Sequence, residues 1–344
     1  MRTIENILKA TILASMVILA ASCRHKDLCY EHDSHALRYQ VNIKASYELE
    51  WEYAYNNGTD WENQWPAEFG FPYSELKPVK PSGLRVLAYA DDSKYDLTNM
   101  PADGGVLRLR NADNDLLFYN NDTETIIFND LNTSASASAT TRTKSRASYK
   151  GSPYIADAQE RTVTEPDMLF GQYKEDLHLE LSDSAEALPI VMKPLVYTYA
   201  IRYEFEEGLE YVALARGAIA GMAESVYLNT GKTSDRPVTV LYECTVEDFG
   251  AQAVVKTFGV PDFPNENYTK AGRVYALNLE VRLKNGIVKI FDFNVTDQIE
   301  KQPHGGVIVV DGIRIEKEDG EKGGGGFDVD VDDWGEYEDI PLPL

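Results

Sequence analysis

Apolar and polar residues alternate over most of the chain between residues 37 and 315. Successive side chains leave a strand on opposite sides, so a period of two marks strands with one buried face. Over 37–55, Tyr39, Val41, Ile43, Ala45 and Tyr47 share one side, and Asn56-Asn57-Gly58 breaks the run. Residues 84–89 and 106–110 predict two more strands. Leu116-Leu117-Phe118-Tyr119 and Thr125-Ile126-Ile127-Phe128 flank Asn120-Asn121-Asp122 and predict a hairpin. Leu177, Leu179 and Leu181 alternate as a further strand. The strongest signal is 190–205, where Tyr197, Tyr199, Ile201, Tyr203 and Phe205 form a large apolar face. Residues 210–228 have an Ala-rich middle interrupted by Gly217 and Gly221, read as strand, small-residue crossing, strand. Residues 238–242 and 253–258 follow as strands. Asn285-Gly286 separates two alternating runs, 275–283 and 288–295, which is a strong hairpin signal. Val307-Ile308-Val309-Val310 follows Gly305-Gly306 as a buried strand, and Ile313-Arg314-Ile315 extends it.

The pattern predicts an all-β protein. Its 344 residues exceed one ordinary core and suit two domains. A polar break at 182–187 places the expected boundary, giving one β-sandwich over 37–184 and a second over 185–315. Residues 132–148 are Ser-, Ala- and Thr-rich and carry Arg142, Lys144 and Arg146. Such a composition predicts a mobile loop open to proteases. The tail, 316–344, is acidic, with Gly323 to Gly326 as a leash before Phe327-Asp328-Val329-Asp330-Val331-Asp332-Asp333-Trp334. Phe327, Val329 and Val331 fall on one side of an extended segment, with Trp334 beyond. Eight residues at about 3.3 Å each reach roughly 26 Å, enough to add as a strand to a sheet edge of this molecule or of a partner.

Composition narrows the function. A net charge of −23 argues against nucleic acid and anionic membrane surfaces as partners. The chain holds no Gly-x-Ser-x-Gly elbow, no His-Glu-x-x-His helix and no P-loop. No carboxylate pair stands out from the acidic background, so the expectation is no enzyme and no cofactor. Cys29, His32 and His35 have spacing that zinc could use, but no second cluster follows, and a solvated leader is the favoured reading. Asp328, Asp330, Asp332 and Asp333 lack the glycine of a calcium loop, and no metal site is expected. Trp61, Trp65, Phe69, Phe71 and Tyr73 crowd one Gly- and Pro-containing loop. The favoured reading is a plug for a sandwich end; Trp61, Trp65 and Tyr73 could instead stack on a glycan.

The N-terminus is a short basic start followed by uncharged residues 10–21, too short to span a bilayer. Leu19-Ala20-Ala21-Ser22-Cys23 resembles the lipobox of bacterial lipoproteins. The resemblance implies removal of 1–22, acylation of Cys23 (palmitate among the chains) and a tether over 23–36. Cys29 and Cys244 then remain, either paired or as thiols.

A wider resemblance rests on six stretches. They are Asp27-Leu28-Cys29-Tyr30, Tyr199-Ala200-Ile201-Arg202-Tyr203-Glu204-Phe205, Ala215-Arg216-Gly217, Gly221-Met222-Ala223-Glu224-Ser225-Val226-Tyr227-Leu228, Gln302-Pro303-His304-Gly305-Gly306 and the Asp328 to Trp334 tail. With Cys23 they resemble a Bacteroidales lipoprotein family related to the fimbrillin-like (type V pilus) proteins. The resemblance implies two tandem Greek-key, transthyretin-like β-sandwiches, lipid-anchored at the cell outer membrane. It also implies assembly with fimbrial subunits by strand addition. The basic 142–146 segment lies far from the usual N-terminal cut position, which favours an anchor or accessory subunit in pilus assembly or adhesion. A glycan-binding surface lipoprotein is the alternative. Residues after Cys23 are basic rather than acidic, leaving the periplasmic and surface faces both open.

Overall fold

The computed structural model describes residues 39–51, 61–65, 69–155, 160–264, 272–321 and 338–339. The expected signal and tether, Cys23, Cys29 and the strand expected at 327–334 with Phe327, Val329, Val331 and Trp334 lie outside these. The described strands begin with β1 (Gln40–Tyr47), β2 (Gly83–Ala90), β3 (Ser93–Pro101), β4 (Gly104–Arg108) and β5 (Asn114–Asn120). Four short strands follow: β6 (Ile126–Asn129), β7 (Ser138–Thr141), β8 (Lys144–Ser145) and β9 (Arg161–Thr164). Next come β10 (Phe170–Leu177), β11 (Glu186–Pro194), β12 (Tyr197–Glu207), β13 (Val212–Ala223) and β14 (Ser225–Tyr227). The rest are β15 (Pro237–Glu247), β16 (Gly250–Thr257), β17 (Ala276–Leu283), β18 (Val288–Asn294), β19 (Gly306–Arg314) and β20 (Glu338–Asp339). Among the described residues the α-helices are α1 (Trp61–Gln64), α2 (Thr296–Ile299) and α3 (Lys317–Glu321).

The strands close into two sandwiches, as the alternation predicts. The first has the order β3-β2-β5-β10-β11-β1-β4. Its core joins Val41 and Ile43 of β1 to Leu84, Val86, Leu116, Phe118, Phe170 and Met192. The second has the order β18-β17-β13-β15-β16-β12-β19, with β9 alongside β15. Tyr199, Ile201 and Tyr203 of β12 enter its core beside Ile219, Leu277, Leu279 and Val281. In the first sandwich the first and last strands, β1 and β11, are parallel neighbours, and in the second β12 and β19 are. Parallel neighbours cannot be joined by a tight turn, so the intervening strands are laid down between them, β9 alone joining the second sandwich from earlier in the chain. Tyr39–Glu180 and Ala185–Leu344 cluster as one compact unit. The outer face of β2 and β5 shares a cluster with Val226, Leu228 and Phe258, so the sandwiches pack on one another.

Several sequence expectations need correction. The 116–128 hairpin does not form: β5 is flanked by β2 and β10, and β6 pairs with β7 instead. Residues 132–148 are not an unstructured loop. They supply β7, which lies between β6 and β14, and β8, which pairs with β20. The small side chains that resemble disorder let this segment approach closely: Ala137 and Ala139 are fully buried. The 190–205 run is two strands, because the chain crosses between sandwiches at Leu195-Val196. β11 belongs to the first sheet, so the chain changes sandwich beyond the break expected at 182–187. Residues 212–223 form one continuous strand whose small residues meet bulky neighbours. At Gly217 a Cβ would lie 2.2 Å from the Tyr242 ring. The 285–286 turn forms as expected, with Gly286 at φ 84° joining β17 to β18.

Candidate functional site

Edges dominate the possible contact surface. Among the described strands, β3 and β4 bound the first sheet and β18 and β19 the second. Each carries an exposed large apolar side chain: Leu97 on β3, Val106 on β4, Val288 and Ile290 on β18, and Val309 on β19. Ile290 is 51% exposed and Val288 43%. On β19 the side chains of Gln298 and Gln302 bond the backbone N–H and carbonyl of Val309 and Val307 and so cap that edge. β3, β4 and β18 remain as edges where backbone beside exposed apolar side chains could receive an added strand. On β18 the alternation explains the exposure, since Phe291 and Phe293 turn inward to the second core.

The acidic tail starts at that same edge. Lys289 of β18 pairs with Asp319 of α3. The Asn285 side-chain amide donates to the carbonyls of Asp319, at 2.7 Å, and Gly320, at 3.1 Å. Gly320 lies flat on the Tyr211 ring, where a Cβ would come within 2.3 Å. These contacts root the tail on the β17–β18 hairpin. Past residues 322–337, β20 pairs antiparallel with β8, Glu338 opposite Ser145 and Asp339 opposite Lys144.

The residue after β8 anchors this arrangement. Arg146 turns onto the outer face of the second sandwich and meets Glu280 of β17, Nε to Oε2 at 3.5 Å. Both side chains are 2% exposed. Glu280 also accepts from Arg216 of β13, at 2.6 Å, and from the Ser148 hydroxyl, at 2.7 Å. The Arg146 guanidinium donates to the Gly217 carbonyl at 3.2 Å and to Asn278 Oδ1 at 3.1 Å. Two guanidiniums thus share one buried carboxylate, an arrangement held by hydrogen bonds rather than by apolar contact. Sequence reading missed this cluster. The available signal was charge inside apolar runs: Arg216 among alanines and glycine, and Glu280 between Leu279 and Val281.

The aromatic loop packs inward. Trp65 stacks on Phe69, centroids 4.6 Å apart, and meets Trp51 edge-on at 5.8 Å. Its indole N–H donates to the Phe71 carbonyl at 2.8 Å. Tyr73 is 7% exposed and offers no ring face to a sugar. Trp61 opens α1, and its side chain lies outside the described set. The cluster seats against Ala200 and Val307 on the outer face of β12 and β19, and Trp51 Nε1 donates to the Thr198 carbonyl at 3.0 Å. It therefore covers a sheet face instead of closing a sandwich end. Of the remaining candidates, Cys244 has no disulfide partner among the described residues and packs against the second core, where burial pushes its thiol pKa well up.

With this geometry in place the chain can be set beside known proteins. The family described as "Domain of unknown function (DUF5119)" matches residues 68–243. The chain belongs to the DUF5119 family. That match runs from within the aromatic loop into β15, so it takes in the strand crossing between the sandwiches. Over 294 residues this DUF5119 chain is 23% identical to Fim4B of Bacteroides ovatus, a protein named as a proposed fimbrium anchoring subunit. The alignment covers 77% of this chain and 85% of that one. The crystal structure of a proposed adhesin from Bacteroides ovatus superposes with a TM-score of 0.55 at 20% identity, over 83% of this chain and 96% of the other. The two share the fold. The fimbrial anchor protein Mfa2 from Porphyromonas gingivalis gives a TM-score of 0.41 at 11% identity, over 79% of this chain and 90% of Mfa2.

Proposed function

We propose that the chain is a non-catalytic lipoprotein of the cell envelope, acting as an anchor or accessory subunit of a fimbria. The observation that carries the reading is the set of sheet edges bearing exposed apolar residues, with an acidic tail rooted at one of them. An anchor needs a surface that accepts another subunit and a fixed attachment to the membrane. The edges supply the first. Acyl chains on Cys23 supply the second, at the outer membrane, because several buried chains make release very slow. The name of Fim4B supports the same reading. In it, Phe327, Val329, Val331 and Trp334 form the strand that engages a partner, and the root at α3 directs it to the β18 edge.

The test is crosslinking of the native lipidated protein in its own outer membrane, followed by capture and mass spectrometry. Fimbrial chains should be recovered in fibre-sized ladders. Deleting 327–344 should abolish their capture while leaving the circular dichroism spectrum unchanged. Cys23→Ser should release the protein from the membrane fraction. Recovery of a monomer without fimbrial chains, or capture unchanged by the deletion, would refute the proposal.

A further inference from the structure

A cleft lies where the chain passes between the two sandwiches, with a volume of about 340 Å³. That is near the lower end of the range for small-molecule sites, about 300–1,000 Å³, and leaves room for one or two sugar rings. We propose that this cleft binds a saccharide bearing a carboxylate. The proposal is independent of the fimbrial reading, since it concerns a small ligand and a different surface.

Three features carry it. First, the floor is apolar and built. Leu195, at the strand crossing, and Leu228 line it. Gly171 is needed beneath, because a Cβ there would lie 2.4 Å from Leu195 Cδ1. Such a floor suits the C–H face of a pyranose ring. Second, one wall is rigid. The rings of Tyr197 and His304 stack at 4.2 Å and 11° from parallel, and Phe263 meets His304 edge-on at 4.3 Å. Third, the rim carries polar groups not committed elsewhere. Gln172, Lys193 and Asn229 line the cleft, and Asn229 Oδ1 is buried with no hydrogen-bond partner among the described residues. Amide side chains suit sugar hydroxyls, donating and accepting at once.

Charge selects the carboxylate. The whole chain has a net charge of −23, yet among the described residues no Asp or Glu lines this cleft and Lys193 does. Lys193 forms no ion pair among the described residues and stands exposed at the rim. An ammonium on an acidic molecule, beside amides and an apolar floor, fits a sugar acid better than a neutral sugar.

The test uses the mature chain and two probes of one shape, digalacturonic acid and its dimethyl ester, titrated by calorimetry. The acid should bind about tenfold tighter than the ester, the scale of one charge-assisted hydrogen bond. Lys193→Gln should weaken the acid about tenfold and leave the ester unchanged. Asn229→Ala should weaken both probes. Lys193 is exposed, so the variant should keep the parent melting curve. No binding of the acid would overturn the proposal, as would equal affinity for acid and ester or an unchanged affinity in Lys193→Gln.

Discussion

Glu280 is a position where the packing of the 142–149 segment can be weighed. Glu280→Ala removes the carboxylate that Arg146 and Arg216 share. Two buried guanidiniums then lose the carboxylate they share, and breaking a buried pair in this way costs about 3–5 kcal/mol. Arg146→Ala differs in kind. Glu280 keeps Arg216 and Ser148, while the Gly217 carbonyl and Asn278 Oδ1 each lose a bond from Arg146. That variant should cost about 1–3 kcal/mol. With both changes, one stranded cation has gone too, so the double variant should cost about 1–2 kcal/mol less than the sum. Urea unfolding followed by tryptophan fluorescence measures all three. Against a total stability of about 5–15 kcal/mol, losses of this size move the midpoint visibly. Trypsin provides a local check, since freeing Arg146 should expose Arg142 and Lys144 to cleavage that the parent resists. If Glu280→Ala cost no more than Arg146→Ala, or if the two costs simply added, the shared-carboxylate account would be refuted.

Three further outcomes can be checked alongside. Gly217→Ala places a Cβ 2.2 Å from the ring of Tyr242, whose hydroxyl lies 2.7 Å from that of Tyr203; it should cost at least about 1–3 kcal/mol in the same urea assay. Trp51→Phe removes the indole bond to the Thr198 carbonyl and should cost about 1–3 kcal/mol, with any loss below a few tenths counting against the role given to that bond. At Asp122, burial pushes the carboxyl pKa up, but bonds from the Asn120 amide and from the Ser82 N–H and hydroxyl outweigh it, leaving the pKa below its ordinary 3.8. A lowered native pKa adds stability that is complete above pH 3.8 and disappears as pH falls through the native value. The stability gap between parent and Asp122→Asn should therefore be constant near neutrality and shrink on acidification below that point, as read from unfolding midpoints across a pH series.

How much of this was legible beforehand depends on the range of the forces involved. Alternation is local, so the all-β class, the β17–β18 hairpin and the inward face of Tyr199, Ile201 and Tyr203 could be read directly from residue order. Side chains two apart share a sheet face whatever lies across from them. Strand partners are not local. Nothing within 116–128 says that β6 will leave β5 and pair with β7, because that choice depends on which edges remain unpaired once β2 and β10 have flanked β5. Composition misled at 132–148 for a similar reason. Ser, Ala and Thr cannot bury a core on their own, but against a surface already formed by β14 their small size permits close packing. Arg146 looked like a solvated cation because the carboxylate that neutralises it lies over a hundred residues away, on β17. The aromatic loop was visible as a cluster, but its seat on Ala200 and Val307 was not, because the outer face of β12 reads as polar until another segment covers it. The sequence alone determined the strands, their buried faces and the charge of the surface. Only the tertiary structure decided which edges meet, which charges are buried together and where a cleft opens, because those depend on contacts between residues far apart in the chain.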